Sequence, residues 1–322
     1  MEKILITGGA GYIGSHVAKL LNHNKKEIIV FDNLSIGKKK YVKHGIFFKG
    51  DLRNKSHLYK IFSKYKIKSV IHLAANCLVG ESQNKVDEYY ENNVVGTINL
   101  LDVMIKFKVK NIIFSSTCSV YGYKNKKINE DEKLKPINVY GETKKVCEEL
   151  IQTYSKAYKF NFIILRYFNA CGADVDGELG EDRENETHLI PLIFKSIKKK
   201  KPVRIFGNDY KTKDKTCIRD YVHVQDIARA HVKCLSFLNK NKKSFVFNLG
   251  TEKGLSVLDI VKITSKVLKI KVDYKFSKRR KGDPPYLVAR SNRIRKKLNF
   301  KNKFSDPELI IKTAWQWFKS IK

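Results

Sequence analysis

The residues best suited to acid–base chemistry are Tyr140 and Lys144, four positions apart in the run YGETK. In a helix this spacing places the phenol and the ammonium group on one face, one turn apart. A nearby cation lowers the pKa of a phenol, so Tyr140 could accept a proton near neutral pH. Because Tyr-x-x-x-Lys is also common on exposed helices, the pair predicts a catalytic base only where a redox partner accompanies it.

A glycine-rich segment near the N-terminus predicts the site of that partner. The apolar run at residues 4–6 indicates a buried parallel strand, and it leads into the sequence TGGAGYIGSH. Gly8, Gly11 and Gly14 fit the pattern Gly-x-x-Gly-x-x-Gly. Gly9, Gly11 and Gly14 also fit the pattern Gly-x-Gly-x-x-Gly. Residues without a Cβ permit a tight turn and close approach of the backbone to a pyrophosphate. The segment therefore predicts a dinucleotide-binding turn.

The elements after the turn support this interpretation. A helix predicted from about Tyr12 to Leu21 would direct its free N–H groups towards the pyrophosphate. A second strand, residues 27–31, ends on Asp32, where a carboxylate can bind a ribose hydroxyl. Because this carboxylate would repel a 2′-phosphate, Asp32 favours NAD over NADP. The lysines at 38–40 could attract such a phosphate and leave NADP as the alternative.

Composition limits the classes of protein to consider. A chain of 322 residues with alternating strand and helix patterns predicts an α/β fold in one or two domains. The first strand begins almost at residue 1, so we expect no signal peptide, and no apolar run is long enough to cross a membrane. The six cysteines lack metal-binding spacing, which predicts reduced thiols in a cytoplasmic protein and no metal site.

The net charge of +33 raises the question of nucleic-acid binding. Much of the excess lies in short lysine-rich clusters, at residues 198–201, 242–243 and 278–281, and no DNA-binding motif or aromatic-interleaved basic stretch accompanies them. We therefore expect no nucleic-acid partner. The charge could still attract anionic substrates over a long range.

Further predicted strands end on residues suited to a ligand site. Strand 45–50 leads to Asp51 and Leu52, where an adenine could lie, and strand 111–117 ends on Thr117. Ligands of open α/β sheets bind beyond the C-terminal ends of such strands, so Thr117 is placed to meet a substrate. A helix predicted from about residue 138 to 158 carries the Tyr–Lys pair.

The texture of the sequence changes after residue 172, where an acidic, glycine-containing stretch precedes shorter strands and helices. We predict a Rossmann-like, doubly wound parallel sheet in a cofactor-binding domain at 1–175. A smaller α/β substrate domain at 176–322 would follow it, with some segments free to pack back on the first.

These motifs together resemble the extended short-chain dehydrogenase/reductase superfamily, and most closely its UDP-glucose 4-epimerase family, also called UDP-galactose 4-epimerases. The resemblance covers nearly the whole chain. The segments that carry it are residues 7–16, 32–34, 50–51, 72–75, 79–82, 89–93, 140–144, 166–169, 205–210, 219–224, 248–250 and 279–283.

The resemblance implies interconversion of UDP-glucose and UDP-galactose. Tyr140, as phenolate, would remove the proton of the sugar 4-hydroxyl while C4 gives hydride to tightly bound NAD. The 4-keto sugar would then turn over, and the hydride would return to its other face. Lys144 would hold the nicotinamide ribose, and Thr117 would hydrogen-bond the sugar oxygen. The family also implies a homodimer that packs through helices including the one with Tyr140.

The binding residues follow from the motifs and the resemblance together. Besides Tyr140 and Lys144, the residues expected to bind the cofactor are Gly8, Gly11, Tyr12, Ile13, Gly14, Asp32, Asn33, Asp51, Leu52, Leu73, Ala74, Ala75, Asn93 and Phe168. Besides Thr117 and Tyr140, those expected to bind the UDP-sugar are Asn169, His188, Arg219, Arg280 and Asp283.

Two departures from the family pattern concern the cofactor and catalytic loops. Many members have Ser at the position of Thr117, and either hydroxyl can form the hydrogen bond. Some members have a lysine at the position of Cys77, so a contact from that loop to the cofactor phosphates is in question.

Three alternatives remain at this point. A nucleotide-sugar 4,6-dehydratase or a related decarboxylase would need a carboxylate after Thr117, where this chain has Cys118-Ser119. An epimerase that accepts N-acetylated UDP-sugars is favoured if Leu287, rather than Tyr286, lies beside the sugar C2 substituent. A basic protein that binds NAD or nucleic acid without catalysis would not need Thr117, Tyr140 and Lys144 together.

Overall fold

The computed structural model describes residues 2–280 and 282–321, so Lys281 of the 279–283 motif lies outside the described residues. Within this part of the chain the strands are β1 (Lys3–Thr7), β2 (Ile28–Asp32), β3 (Ile46–Lys49), β4 (Ile67–His72), β5 (Asn111–Thr117), β6 (Asn161–Tyr167), β7 (Asn169–Cys171), β8 (Val203–Phe206), β9 (Ile218–His223), β10 (Phe245–Leu249), β11 (Gly254–Ser256), β12 (Tyr274–Ser277) and β13 (Tyr286–Leu287).

The α-helices of the same part of the chain differ widely in length. They are α1 (Tyr12–His23), α2 (Lys55–Lys64), α3 (Val79–Ser82), α4 (Val86–Tyr89), α5 (Gly96–Lys106), α6 (Val139–Tyr158), α7 (Leu189–Lys198), α8 (Val224–Asn241), α9 (Val257–Leu268), α10 (Asn292–Leu298) and α11 (Pro307–Ser320).

Seven parallel strands form the largest sheet, in the order β3-β2-β1-β4-β5-β6-β10. The alternation of side chains along β1 shows how helices cover both of its faces. Ile4 and Ile6 pack in one apolar cluster with residues of α1 and α8, whereas Leu5 packs in another with residues of α2, α5 and α6. The fold is therefore an α/β, Rossmann-like doubly wound sheet, as predicted.

The last strand of this sheet comes from far along the chain. β10 pairs with β6 in register, Phe245 opposite Ile163, and α8 packs against α1. Residues 224–249 thus pack back on the first sheet although they lie beyond residue 175, the predicted end of the first domain.

A smaller region begins at β7, directly after the C-terminal end of β6. β9 pairs with β7, β11 and β13, and β8 pairs with β12. A separate apolar cluster joins these strands to α7, α9 and α11. None of the described helices is long and apolar enough to cross a membrane.

Candidate active site

The start of α6 places the Tyr–Lys pair at the end of the main sheet. Asn138 precedes the helix, and its Oδ1 accepts a hydrogen bond from the backbone N–H of Gly141 at 2.8 Å. This cap satisfies a backbone donor of the first turn, where Tyr140 lies. One turn later, Lys144 Nζ donates to the carbonyl oxygen of Ser115 in β5 at 2.7 Å. The two predicted catalytic residues are thus fixed to the same strand end.

Tyr140 and Thr117 are neighbours in this arrangement. Burial raises the pKa of Tyr140 well above its ordinary value, and a hydrogen bond with the Thr117 side chain opposes that increase. Burial also lowers the pKa of Lys144, from 10.5 to about 8. We expected Lys144 to lower the pKa of the phenol, but burial has the largest effect on that pKa and raises it.

One cavity lies between the glycine turn and the start of α6, and residues at the ends of β2 and β4 also line it. Of the residues expected to bind the cofactor, those that line it are Gly8, Gly11, Tyr12, Ile13, Gly14, Asp32, Asn33, Leu52, Leu73, Ala74, Ala75, Tyr140 and Lys144.

The glycine turn fits a pyrophosphate. Gly8 has φ +72°, and a Cβ on it would lie 2.6 Å from the backbone N of Ala74, so a side chain would clash with the loop after β4. At Gly11, which precedes α1 and lines the cavity, the nearest atom to a Cβ is the Gly8 oxygen at 3.3 Å. Residues 11–14 all line the cavity, so the first turn of α1, whose backbone N–H groups have no acceptor within the helix, lies beside it, as anion binding requires.

The carboxylate of Asp32 is held in place by two backbone donors. Its Oδ2 accepts from Ala10 N–H at 3.0 Å, and its Oδ1 accepts from Leu34 N–H at 2.8 Å. Burial raises its pKa, and these two hydrogen bonds oppose the change. The oxygens keep lone pairs for the hydroxyls of a ribose.

Two of the three lysines that could have attracted a 2′-phosphate are paired with a carboxylate. Lys38 Nζ lies 2.8 Å from Asp182 Oδ2, and Lys40 Nζ lies 3.4 Å from the same atom. This pairing agrees with NAD rather than NADP.

Three residues expected to bind the cofactor lie outside the set that lines the cavity. Asn93 holds Asn76, which does line it, because Asn93 Oδ1 accepts from Asn76 N–H at 2.8 Å. Asp51 accepts a hydrogen bond from Asn33 Nδ2 at 3.0 Å. Phe168 is buried in the core, and its backbone N–H donates to Leu249 O.

The residues expected to bind the UDP part lie on the smaller region. Arg219 in β9 is buried, and its guanidinium pairs with Asp283. Asn169 in β7 lies opposite Tyr221 of the same sheet, close along β9 to Arg219. These three predicted residues therefore share one small sheet and the loop before β13.

The other two expected UDP ligands have different partners. His188 precedes α7, and its Nδ1 lies 2.7 Å from Glu181 Oε1. The guanidinium carbon of Arg280 lies 4.0 Å from the centre of the Phe206 ring. The structure thus brings Arg219 and Asp283 together, and it places His188 and Arg280 in separate contacts.

Sequence reasoning missed Arg183, which lines the cofactor cavity. It also did not assign Cys77 to that cavity, although the two side chains are neighbours at 3.6 Å. A signal was present, because Arg183 is a lone basic residue within the acidic stretch 174–186.

Comparison with known proteins identifies the family of this site. Residues 4–250 match the model of the NAD dependent epimerase/dehydratase family. A UDP-glucose 4-epimerase from Lactobacillus helveticus is 45% identical over 99% of this chain and 97% of the relative. One from Halalkalibacterium halodurans is 42% identical over 98% of this chain and 95% of the relative.

Solved structures agree with the sequence relatives. The UDP-glucose 4-epimerase from Brucella ovis in complex with NAD has a TM-score of 0.95 and 42% identity, and covers 99% of this chain and 98% of its own. That from Bifidobacterium longum, in complex with NAD⁺ and UDP, has a TM-score of 0.94 and 34% identity over 99% and 98% of the two chains. These relatives show that the chain, with Tyr140 and Lys144 in the lining of its dinucleotide-type cavity, belongs to the UDP-glucose 4-epimerases of the NAD dependent epimerase/dehydratase family.

Proposed function

We propose that this enzyme interconverts UDP-glucose and UDP-galactose through a 4-keto sugar. The observation that carries the proposal is that Tyr140 and Lys144 line the predicted NAD cavity together, with Thr117 next to Tyr140. When bound there, NAD supplies a hydride acceptor for the sugar C4 and later a hydride donor. The protein must then hold the sugar and move one proton.

Tyr140 is the residue that we assign to proton transfer. Its phenol oxygen, as phenolate, takes the proton of the 4-hydroxyl, and it returns a proton to the same oxygen after the keto sugar has turned. The Thr117 hydroxyl lies close enough to Tyr140 to lower its pKa, and it can hydrogen-bond the same sugar oxygen. Lys144 favours the phenolate and holds the nicotinamide ribose. Because burial raises the pKa of Tyr140, the positive charge of Lys144 has to oppose that increase when NAD and the sugar are bound.

The UDP part has its proposed ligands on the smaller region. Guanidinium groups form paired hydrogen bonds to phosphate oxygens, which suits Arg219 and Arg280 to the diphosphate. Asn169, His188 and Asp283 complete the proposed set. Four of these five ligands lie beyond residue 175, the predicted end of the cofactor domain, and Asn169 lies just before it.

Elimination chemistry has no support near Thr117. The next residue, Cys118, has a buried side chain in the apolar core, and burial raises its pKa to about 12. A thiol in that state is a poor general acid for a leaving hydroxyl. The 4,6-dehydratase alternative therefore lacks its key group.

N-acetylated UDP-sugars form a second candidate substrate class. Leu287 in β13 is buried in the same apolar cluster as Cys118, whereas Tyr286 before it is only partly buried. The candidate requires that Leu287 lie beside the sugar C2 substituent, where it would leave more room than a tyrosine; with Tyr286 in that place the pocket would be narrow. Parallel assays on UDP-galactose and UDP-N-acetylgalactosamine test this candidate, and activity on UDP-galactose alone would remove it.

The direct test of the proposed function is incubation of the purified protein with UDP-galactose. We expect UDP-glucose to appear, and Tyr140→Phe to reduce its rate of formation by orders of magnitude while NAD stays bound. Tyr123→Phe is the matched control, because Tyr123 is 60% exposed and lies outside the cavity. Near-normal turnover by Tyr140→Phe would refute the assignment of the base.

A cytoplasmic homodimer is the expected setting of this activity. All six cysteines are free and five of them are buried, in agreement with a reducing compartment. An exposed aromatic residue lies on the proposed dimer helix, because Tyr158 at the end of α6 is 51% exposed. Sedimentation equilibrium tests the dimer, and a monomer at micromolar concentration would contradict it.

A further inference from the structure

The loop between β7 and α7 reaches across the cofactor cavity. Near its middle, Asp182 pairs with Lys38 and accepts a hydrogen bond from Tyr41, both from the segment after β2. The neighbouring carbonyl oxygen of Glu181 accepts from Trp317 Nε1 at 2.8 Å. The loop is thus attached on both sides, and the next residue, Arg183, is carried to the cavity.

Arg183 lies between the glycine turn and the loop after β4. It lines the main cavity and also a smaller adjoining one, and Gly11 and Tyr12 line both as well. Its side chain is 15% exposed. Nη1 is 3.6 Å from Cys77 Sγ, and Nε is 2.8 Å from Glu181 Oε1. The guanidinium therefore spans the cleft in front of the N-terminus of α1.

A pyrophosphate bound at the N-terminus of α1 would need a cation beside it. A pyrophosphate carries two negative charges, and a helix N-terminus supplies only about half a positive charge. Among the described residues that line the main cavity, Lys144 and Arg183 are the only cations, and Lys144 is bound to the carbonyl oxygen of Ser115.

We propose that Arg183 binds the pyrophosphate of NAD. Its planar fork can donate two parallel hydrogen bonds to phosphate oxygens, and its ion pair with Glu181 fixes its direction. The inference rests on the cofactor of the family and not on the identity of the sugar substrate.

The test compares Arg183→Gln with Arg204→Gln, which removes the same charge from an exposed site in β8 outside both cavities. We expect NAD to dissociate from Arg183→Gln on the order of ten- to a hundredfold faster, as for the loss of hydrogen bonds to a charged group. Exchange of bound NAD for labelled NAD measures this rate. UDP affinity of the NAD-loaded protein should change less than about twofold in both variants.

Two results would overturn the inference. If NAD dissociates from Arg183→Gln at the wild-type rate, the guanidinium serves only its ion pair with Glu181. If UDP binding weakens while NAD release is unchanged, Arg183 faces the substrate diphosphate instead. Should Arg183→Gln not fold, Arg183→Lys answers the same question, because it keeps the charge but loses the fork and should release NAD severalfold faster.

Discussion

Lys144 shows how a single buried residue can be costly to the fold and necessary for the site. Only 2% of its surface is exposed, and its ammonium contacts the carbonyl of Ser115 and the face of Phe114 rather than a carboxylate. A charged amine without a counter-ion destabilises the folded protein. The protein tolerates this because the same group supports Tyr140 and the cofactor ribose in the proposed mechanism.

This cost predicts an unusual dependence of stability on pH. The pKa of Lys144 is lowered in the folded state, so between pH 8 and 10.5 the unfolded chain binds more protons and the free energy of unfolding rises with pH. Relative to Lys144→Met, the NAD-free wild type should gain about 3 kcal/mol across this range. Urea unfolding at several pH values measures the difference.

The control for this prediction is Lys156→Met, which removes an exposed lysine from the same helix. Its stability relative to wild type should not show the same rise. A constant difference between wild type and Lys144→Met over the whole range would contradict the buried, uncompensated charge.

At this scale the sequence identified the residues whose neighbours are close along the chain. Tyr140 and Lys144 could be paired by helical spacing, and Asp32 by its distance from the glycine turn. The contact of Arg183 with Cys77 could not be predicted in this way, because a long loop folds Arg183 against a segment about a hundred residues away in the chain. Spacing along the chain carries no information about such contacts.

The element that matters most for the site is α6, and a buried network holds it to the sheet. Arg166 in β6 donates to both oxygens of Glu148 in α6, with Nε at 2.9 Å from Oε1 and Nη2 at 2.5 Å from Oε2. Nη1 also donates to Tyr121 OH at 2.9 Å, and Tyr121 donates to Asn248 in β10 at 2.7 Å. The guanidinium thus links β6 directly to α6 and, through Tyr121, to β10.

Removal of this guanidinium should destabilise the protein strongly. Glu148 has no exposed surface, so Arg166→Met leaves an uncompensated buried carboxylate and should lower the free energy of unfolding by about 3–5 kcal/mol. Chemical denaturation measures this loss. The double variant Arg166→Met/Glu148→Met should recover much of it, and equal instability of the single and double variants would contradict the explanation.

The long apolar strands and helices were predictable because their patterns are local. The predicted strand 111–117 matches β5, and the helix predicted from 138 to 158 matches α6 to within one residue. The place of β10 beside β6 was not predictable, since strand order depends on contacts between segments far apart in the chain. The short strands β11 and β13 gave no pattern long enough to recognise.

For the whole molecule, the net charge of +33 should act on the rate of encounter with a UDP-sugar. A strongly basic protein attracts a dianionic diphosphate over a distance that salt shortens. We expect kcat/KM for UDP-galactose to fall severalfold between about 20 mM and about 500 mM salt, with kcat nearly constant. Steady-state kinetics across this range measure both values, and a salt-independent kcat/KM would show that the charge has no steering role.

The central claim is that the hydrogen at C4 leaves the sugar and returns to it within one site. UDP-galactose that carries deuterium at C4 tests this claim most directly, with mass spectrometry of the UDP-glucose formed by the wild-type protein. We predict that the product keeps its deuterium at C4, because Tyr140 exchanges only the proton of the 4-hydroxyl. Loss of the deuterium to water during conversion would contradict it.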